Sequence, residues 1–348
     1  MMTRPQWLRI HRILGLFMAV FLFVQALTGV LLLYRGPVAR MIDPVGMTSR
    51  AEGAAISTGD VVIRANRALA GYHVTRLLAP DAPGATWIAQ LQDGGGRMAF
   101  ASVDPVGGAV LRAGGLPRFP VEAALQLHYK LLAGKVGEAI VALNALALLG
   151  MTISGLSYWW PRNKPMKALT IRWTMSPRLV LRQVHRTFGV VAAALLAMMA
   201  GTGLLLILPE LADTSKPAPP VASSATAIDR SVSMAHAVFP HNHLRDLRIN
   251  GDRLIVNFNA PEFNSRAVHR VTVALVRPRI VSTLPAERNN ALWITVLPIH
   301  TGNVIGPIGP ALLLIVALTL AALAVSGPVM WWQATAQRRR YISRKQTA

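Results

Sequence analysis

Four runs of 21 or 22 residues contain no Asp, Glu, Lys or Arg, and they constrain this chain more than any other feature. They cover 13–33, 139–160, 188–208 and 311–332. A helix rises about 1.5 Å per residue, so about 20 apolar residues cross the roughly 30 Å hydrocarbon core of a bilayer. Lipid offers backbone groups no hydrogen bonds, so each run has to satisfy its own, as a helix does. The expectation is a membrane α-helical protein with four spans. The first run is too long for a signal-peptide core, and Tyr34-Arg35-Gly36 follows it where a small-residue cleavage pattern would stand. It reads as a retained helix.

A net charge of +21 would suit a nucleic-acid partner, but its distribution argues against one. Residues 1–12, 161–186 and 333–348 hold 3, 7 and 5 Lys or Arg and no Asp or Glu, which leaves only +6 for the rest of the chain. Each stretch abuts a span, as positive-inside segments do. Both termini and the 161–186 loop are therefore expected in the cytoplasm, with the long loops, about 34–138 and 209–310, outside. Trp159-Trp160 and Trp331-Trp332 sit at the inner ends of spans two and four, at the headgroup level that indole rings favour. The absence of cysteine excludes disulfides, thiolate metal sites, iron–sulfur clusters and covalently attached c-type haem.

The chain reads as a tandem repeat. Arg9-Ile10-His11-Arg12-Ile13-Leu14-Gly15 matches Gln183-Val184-His185-Arg186-Thr187-Phe188-Gly189, and Thr28-Gly29 and Thr202-Gly203 each follow seventeen residues after the histidine. Leu127-His128 and Ile299-His300 are followed, twenty-six residues after the histidine, by Ser154-Gly155 and Ser326-Gly327, and then by the Trp pairs. Both halves run in, out and in again, which predicts a four-helix bundle with a pseudo-twofold along the membrane normal. The small residues of these motifs suit close helix approach.

Each outer loop reads as a small α+β unit. The first has helical spacing at 60–69, strand-like runs at 73–78, 86–91 and 98–103, and a turn at 103–108. The second has a Pro/Ala/Ser linker at 216–224, a helix near 228–238, strands near 244–249, 253–258 and 270–276, and a degraded turn at 277–282.

The His-Arg-x-x-Gly opening, the Thr-Gly and Ser-Gly-x-x-x-Trp-Trp exits and the Asp-Pro-x-x-Gly turn together resemble the PepSY-associated transmembrane family. That family includes iron-regulated inner-membrane proteins and ferric-siderophore reductases. The resemblance covers nearly the whole chain. It implies two extracytoplasmic PepSY-like α+β domains and a bacterial inner-membrane location. The expected division is span one in 1–34, the first PepSY-like domain in 35–120, and an outer approach segment with span two in 121–160. A basic cytoplasmic loop follows in 161–184, span three in 185–208 and the second PepSY-like domain in 209–295. An approach segment with span four occupies 296–332, and a basic tail 333–348.

The resemblance to the reductases also implies b-type haem held by helix-end histidines. His11 and His185 share the inner face, and His128 and His300 the outer one, so these are the pairs that can meet. The expectation is two haems, each with two axial imidazoles. Arg12 and Arg186 follow the inner ligands, with Arg9 and Arg182 close before them, and guanidinium forks suit propionates. On the outer side Lys130 and Lys135 flank His128, with no counterpart near His300. Gly302, Gly306, Pro307, Gly309 and Pro310 are expected to break the chain before span four, so a short interfacial segment must present His300.

The remaining histidines carry less. His241-Asn242-His243 with His236 has a composition that can hold a metal, but a solvated strand start is the favoured reading, as it is for His73. His269 lacks a repeat partner and reads as structural. Met198-Met199 read as core packing or porphyrin contact, and Gln25 and Asn144 as polar groups that bond across helices or line a cofactor. The expected function is a di-haem electron conduit that takes electrons from an unidentified cytoplasmic donor and, by resemblance, reduces a ferric siderophore outside. Arg248, Arg253, Arg266 and Arg270 are candidates to attract an anionic ferric complex. Two other readings stay open: a haem-free membrane regulator or binding protein, and a small-solute transporter. The spans lack the charged residue that ion pathways usually carry, which weighs against the transporter. No Walker loop, dinucleotide fingerprint, nucleophile elbow or HExxH motif is present.

Overall fold

The computed structural model describes residues 2–160, 167, 169–215 and 218–346, and of 338 and 340–346 the backbone alone. Of the expected basic stretches, Arg162, Lys164 and the side chains of Arg338, Arg340, Arg344 and Lys345 lie outside the described residues. So does Lys216, at the start of the expected linker. In chain order the helices are α1 (Arg4–Leu33), α2 (Arg35–Ile42), α3 (Pro44–Met47), α4 (Thr58–Ala68) and α5 (Pro120–Lys130), then α6 (Gly134–Trp159), α7 (Pro177–Ala212), α8 (Ala225–Val238), α9 (Leu292–His300) and α10 (Ile308–Gln346). The strands are β1 (Tyr72–Leu78), β2 (Trp87–Asp93), β3 (Met98–Val103) and β4 (Val110–Gly115), then β5 (Leu244–Asn250), β6 (Arg253–Asn259), β7 (Val268–Ala274) and β8 (Arg279–Leu284). The chain divides into two compact units. One comprises Met1–Leu33, Leu125–Asp213 and Ile299–Ala348, the other Tyr34–Ala124 and Thr214–Pro298.

The first unit is a four-helix bundle. Helices α1, α6, α7 and α10 are long and apolar enough to cross a membrane. Both α1 and α7 pack between α6 and α10, so α1 and α7 face each other across a diagonal. Leu22, Ala26, Leu148, Leu196, Val316 and Leu320 fill the middle of the bundle. Phe17, Val20, Ile153, Val191 and Ile315 point outward and are largely exposed, as side chains facing lipid must be. The expected charge-free stretch 139–160 sits inside a longer helix that starts at Gly134 and includes the fully buried Glu138.

The second unit is built on one antiparallel sheet of eight strands, ordered β4-β3-β2-β1-β5-β6-β7-β8. Each loop contributes a helix followed by four strands. Ser57 caps α4 by accepting the Asp60 N–H, and Ser224 caps α8 by accepting the Ala227 N–H. Val61, Val62 and Ala65 of α4, with Ile228 and Ala235 of α8, pack on Leu77, Leu91, Val103, Leu247, Val256 and Phe258 of the sheet. Both helices therefore cover the same sheet face. They meet at Gly59, where a Cβ would lie 2.2 Å from the Ala225 carbonyl oxygen, and the Gly59 N–H donates to Asp229 Oδ1 at 2.7 Å.

Two expectations need revision. The two loops do not form separate α+β domains, because β1 and β5 pair antiparallel and merge the halves into one sheet. Each half also has a fourth strand that was not expected. The stretch 277–282, expected as a turn, is largely β8, and the chain reverses just before it. Its equivalent β4 follows the expected turn at Asp104, whose Oδ1 accepts the Val106 N–H at 2.8 Å.

Candidate functional site

The four repeat-related histidines come together in two pairs inside the bundle. His11 on α1 faces His185 on α7 with ring centroids 6.3 Å apart. His128, near the end of α5, faces His300, the last residue of α9, at 6.4 Å. Two imidazoles bound on opposite sides of one metal ion would have centroids about 6.2 Å apart, from a metal–nitrogen bond of about 2.0 Å and about 1.1 Å from nitrogen to ring centre. The spacing of each pair leaves room for one metal ion between the rings. It is too long for a hydrogen bond between the rings.

The hydrogen bonds fix which nitrogen is free. His128 Nδ1 lies 2.9 Å from Thr28 Oγ1, and the Thr28 hydroxyl donates its proton to the Val24 carbonyl at 2.8 Å. An Nδ1–H on His128 completes this arrangement, with the Gln25 carbonyl as a second acceptor. The second half does the same: His300 Nδ1 is 2.9 Å from Thr202 Oγ1, which donates to the Met198 carbonyl at 2.7 Å. His11 Nδ1 donates to the Met151 carbonyl at 3.0 Å, with Ser154 Oγ at 3.4 Å. His185 Nδ1 is 2.7 Å from Ser326 Oγ, which also reaches the Leu323 carbonyl at 3.3 Å. A proton on Nδ1 completes all four of these arrangements and leaves the Nε2 lone pair for a ligand. Metal-binding histidines are oriented in this way by a partner on the second nitrogen.

The glycines of the same motifs touch the rings. A Cβ on Gly29 would lie 3.3 Å from His128 Cε1, on Gly155 3.2 Å from His11 Cε1, on Gly203 3.3 Å from His300 Cε1, and on Gly327 3.7 Å from His185 Cε1. The Thr-Gly and Ser-Gly dipeptides are thus cradles: the hydroxyl holds the ring and the glycine makes room for it. The sequence marks these dipeptides as repeats and as sites of close helix approach. Their contact with the histidines is not marked by the repeat: the touching residues are 100 and 98 apart for Thr-Gly and His, and 143 and 141 apart for His and Ser-Gly, whereas the constant offsets of 17 and 26 join residues that do not touch.

The approach segments present the loop-end pair. After His128, Leu131 and Leu132 adopt positive φ of 47° and 56°, and Gly137 comes so close to the Lys130 carbonyl that a Cβ would lie 1.6 Å from its oxygen. After His300, Gly302 takes φ 76° and packs on Gly309, whose Cβ would lie 1.8 Å from the Gly302 carbonyl oxygen. Only glycine permits that approach. Gln25 donates to the His128 carbonyl at 3.1 Å, and Asn144 donates to Gln25 Oε1. These mid-span polar groups bond across α1 and α6.

The charged neighbours fall into two sets. Arg9 and Arg12 line a groove of about 510 Å³ with Leu8, Leu16 and Trp331. Arg186 donates to the Thr170 carbonyl at 3.3 Å through Nη2, while its Nε is buried with no acceptor among the described residues. Among those residues Trp159 Nε1 is also buried without an acceptor. Buried orphan donors near the His11–His185 end fit an anionic group that is not protein. At the other end Lys130 and Lys135 both pair with buried Glu138, at 2.9 and 3.0 Å.

The other histidines play structural parts or stand apart. His269 accepts the Ala286 N–H on Nδ1, lies 2.8 Å from Glu262 Oε1 through Nε2, and stacks on Phe239. His236 packs edge-on against Phe258. Among the described residues, no three His, Asp or Glu side chains come together as a metal ion would require, the His241–His243 stretch included. Met199 packs against the bundle core.

No curated protein matches the chain. The family described as the PepSY-associated TM region matches residues 8–334, which takes in both histidine pairs and all eight strands, and the chain belongs to that family.

Proposed function

We propose that this chain is a transmembrane electron conduit that holds two b-type haems, one between His11 and His185 and one between His128 and His300. On this reading it reduces an acceptor outside the inner membrane, a ferric siderophore. The observation that supports it best is the recurrence of one geometry: two imidazole pairs 6.3 and 6.4 Å apart, each ring bonded through Nδ1, with no partner on Nε2 among the described residues. When bound, haem supplies one-electron exchange between Fe(III) and Fe(II).

The chain's own residues do the rest. Thr28, Thr202 and Ser326 fix the tautomer and orientation of their rings, and the Met151 carbonyl does so for His11. Arg12 and Arg186, with Arg9 and Arg182, supply positive charge for propionates at the His11–His185 end. The apolar core between Leu22 and Leu320 excludes water from the space between the pairs and lowers the dielectric, a lever on potential. His11 and Thr28 are 17 residues apart on α1, so the pairs are separated by about 25 Å along the helix. The basic stretches beside the spans favour cytoplasmic termini, which puts the His11–His185 pair on the donor side. Reduction of a ferric chelate weakens its hold by hard oxygen ligands and releases the iron.

The test is a reduced-minus-oxidised spectrum with pyridine-haemochrome quantitation on protein purified from haem-replete cells. About two b-type haems per chain are expected, falling to about one in His185→Ala, by the one-site-per-pair arithmetic. A spectrum unchanged in that variant would overturn the ligand assignment. No haem at all would leave a membrane-anchored binding or regulatory protein.

A further inference from the structure

The face of the sheet not covered by α4 and α8 carries an arginine cluster at the seam of the two halves. Strand pleating turns Leu77 and Leu247 into the core and the neighbouring Arg76 and Arg248 to the opposite side. Arg76 and Arg248 are direct cross-strand partners, an arrangement that like charges disfavour. One carboxylate oxygen holds them: Asp246 Oδ1 accepts from Arg76 Nε at 3.2 Å, Arg248 Nε at 3.4 Å and Asn257 Nδ2 at 3.2 Å. Asn257 Oδ1 in turn accepts from Arg270 Nε at 3.1 Å. Arg245 joins from the same strand, with its Nη1 on the Arg266 carbonyl and its guanidinium over the Trp293 ring.

Three features mark this as more than a solvated face. First, among the described residues Arg76, Arg245, Arg248, Arg266 and Arg270 gather about Asp246, with Arg35 near Arg76 and Arg266 and paired with Glu122; six positive charges against two negative leave a surplus of four. Second, Arg76, Arg248 and Arg270 are all tethered through Nε. Among the described residues, no carboxylate or carbonyl accepts from their terminal nitrogens. A guanidinium held by Nε presents its two outer nitrogens as a fixed fork, the geometry that grips a carboxylate bidentately. Third, the charges are partly withdrawn from water. Burial lowers Arg245 to about 10 and holds Arg76 and Arg266 below the ordinary arginine range. Desolvated like charges without counterions are costly, and a bound anion relieves that cost.

We infer that the Arg76–Arg248–Arg270 cluster binds a small anion bearing several carboxylates. This deepens the acceptor side of the function proposed above, since carboxylate chelates of ferric iron belong to that class. It does not depend on haem, because binding is read without electron transfer. Asp246 and Asn257 are positioning residues, and the arginine forks make the contact. Asp246 sets the spacing of two forks while cancelling only one charge.

Calorimetric titration of the full-length protein in neutral detergent, with citrate and with ferric citrate as probes, tests this directly. Saturable binding is expected, weakening as salt is raised. Arg76→Gln/Arg248→Gln should raise Kd by about tenfold or more, the effect of losing charge-assisted bonds. Arg67→Gln, on exposed α4 of the opposite face, should leave it within about twofold. Should the double variant fail to fold, Arg270→Gln, tethered only to Asn257, serves instead. Equal binding by all variants, or no saturable heat from the wild type, would overturn the proposal. So would retention of phosphatidylglycerol in place of citrate, which would assign the cluster to a lipid headgroup. Citrate binding without haem in the same sample would sustain this inference while refuting the conduit. Two haems without citrate binding would do the reverse.

Discussion

Thr28→Val tests the cradle most sharply. The substitution keeps the side-chain volume and removes the hydroxyl partner of His128 Nδ1, now at 2.9 Å, leaving the Gln25 carbonyl as a backbone acceptor. Losing one such hydrogen bond costs about 0.5–1.5 kcal/mol. At about 1.4 kcal/mol per factor of ten, haem affinity at the His128–His300 pair should fall about 2- to 12-fold, reaching the lower end of the 10–100-fold typical of second-nitrogen partners. The other pair should be untouched. The serines supply an internal control, because their geometry differs. His185 has Ser326 Oγ at 2.7 Å, whereas His11 has the Met151 carbonyl at 3.0 Å and Ser154 Oγ only at 3.4 Å. Ser326→Ala should therefore behave like Thr28→Val at its own site, and Ser154→Ala should change affinity by no more than about twofold, since its contact is at the limit of a hydrogen bond. The assay is haem titration of haem-depleted protein, followed at the Soret band. Wild-type affinity in Thr28→Val, or equal losses in the two serine variants, would refute the reasoning.

Two further outcomes follow from the same coordinates. Gly155→Ala puts a methyl 3.2 Å from His11 Cε1, whereas Gly327→Ala meets His185 Cε1 at an ordinary 3.7 Å; the first should shift the low-spin haem g-values in electron paramagnetic resonance and the second should not, and identical spectra would refute the difference. Burial alone would raise the Asp246 carboxyl, but Arg76 and Arg248 hold it below the usual carboxylate range. A depressed folded-state pKa contributes stability above the unfolded value of about 3.9 and loses it as pH falls through the folded value. The melting temperature of the full-length protein should thus drop as pH is lowered below about 4, and Asp246→Asn should melt lower at pH 7 and lose part of that dependence; parallel curves would refute the assignment.

The sequence exposes the bundle because lipid imposes length and polarity on every residue of a span, and four uncharged runs leave little choice. It exposes the histidine pairs because His11 and His185, and His128 and His300, recur at nearly one offset and sit at matching ends of their helices. The cradles were hidden for a simple reason. His11 meets Ser154 and His128 meets Thr28 within a half, and a comparison of halves reveals what repeats, not what touches. Strand β8 was hidden by its resemblance in position to a turn, and β4 by the glycines at its end. The single sheet was hidden because the seam pairs Arg76 with Arg248, a match that charge would never nominate. Lys130 and Lys135 looked free because Glu138 lies one residue outside the uncharged run that defined the span.

The seam between the halves has a consequence in time. The register pairs Arg76–Arg248, Leu77–Leu247 and Leu78–Asp246 join β1 to β5, and these partners are 172 residues apart at the first pair and fewer at the others. At about 5–20 residues per second, the ribosome needs roughly 9–34 s to deliver the second strand after the first. Through that interval β1 is an open edge on a half-built sheet, while two more helices enter the membrane. Unpaired edges recruit whatever strand is nearest. On a crowded message the nearest one belongs to the neighbouring nascent chain, so the pace of synthesis helps decide whether the sheet closes within one molecule or between two.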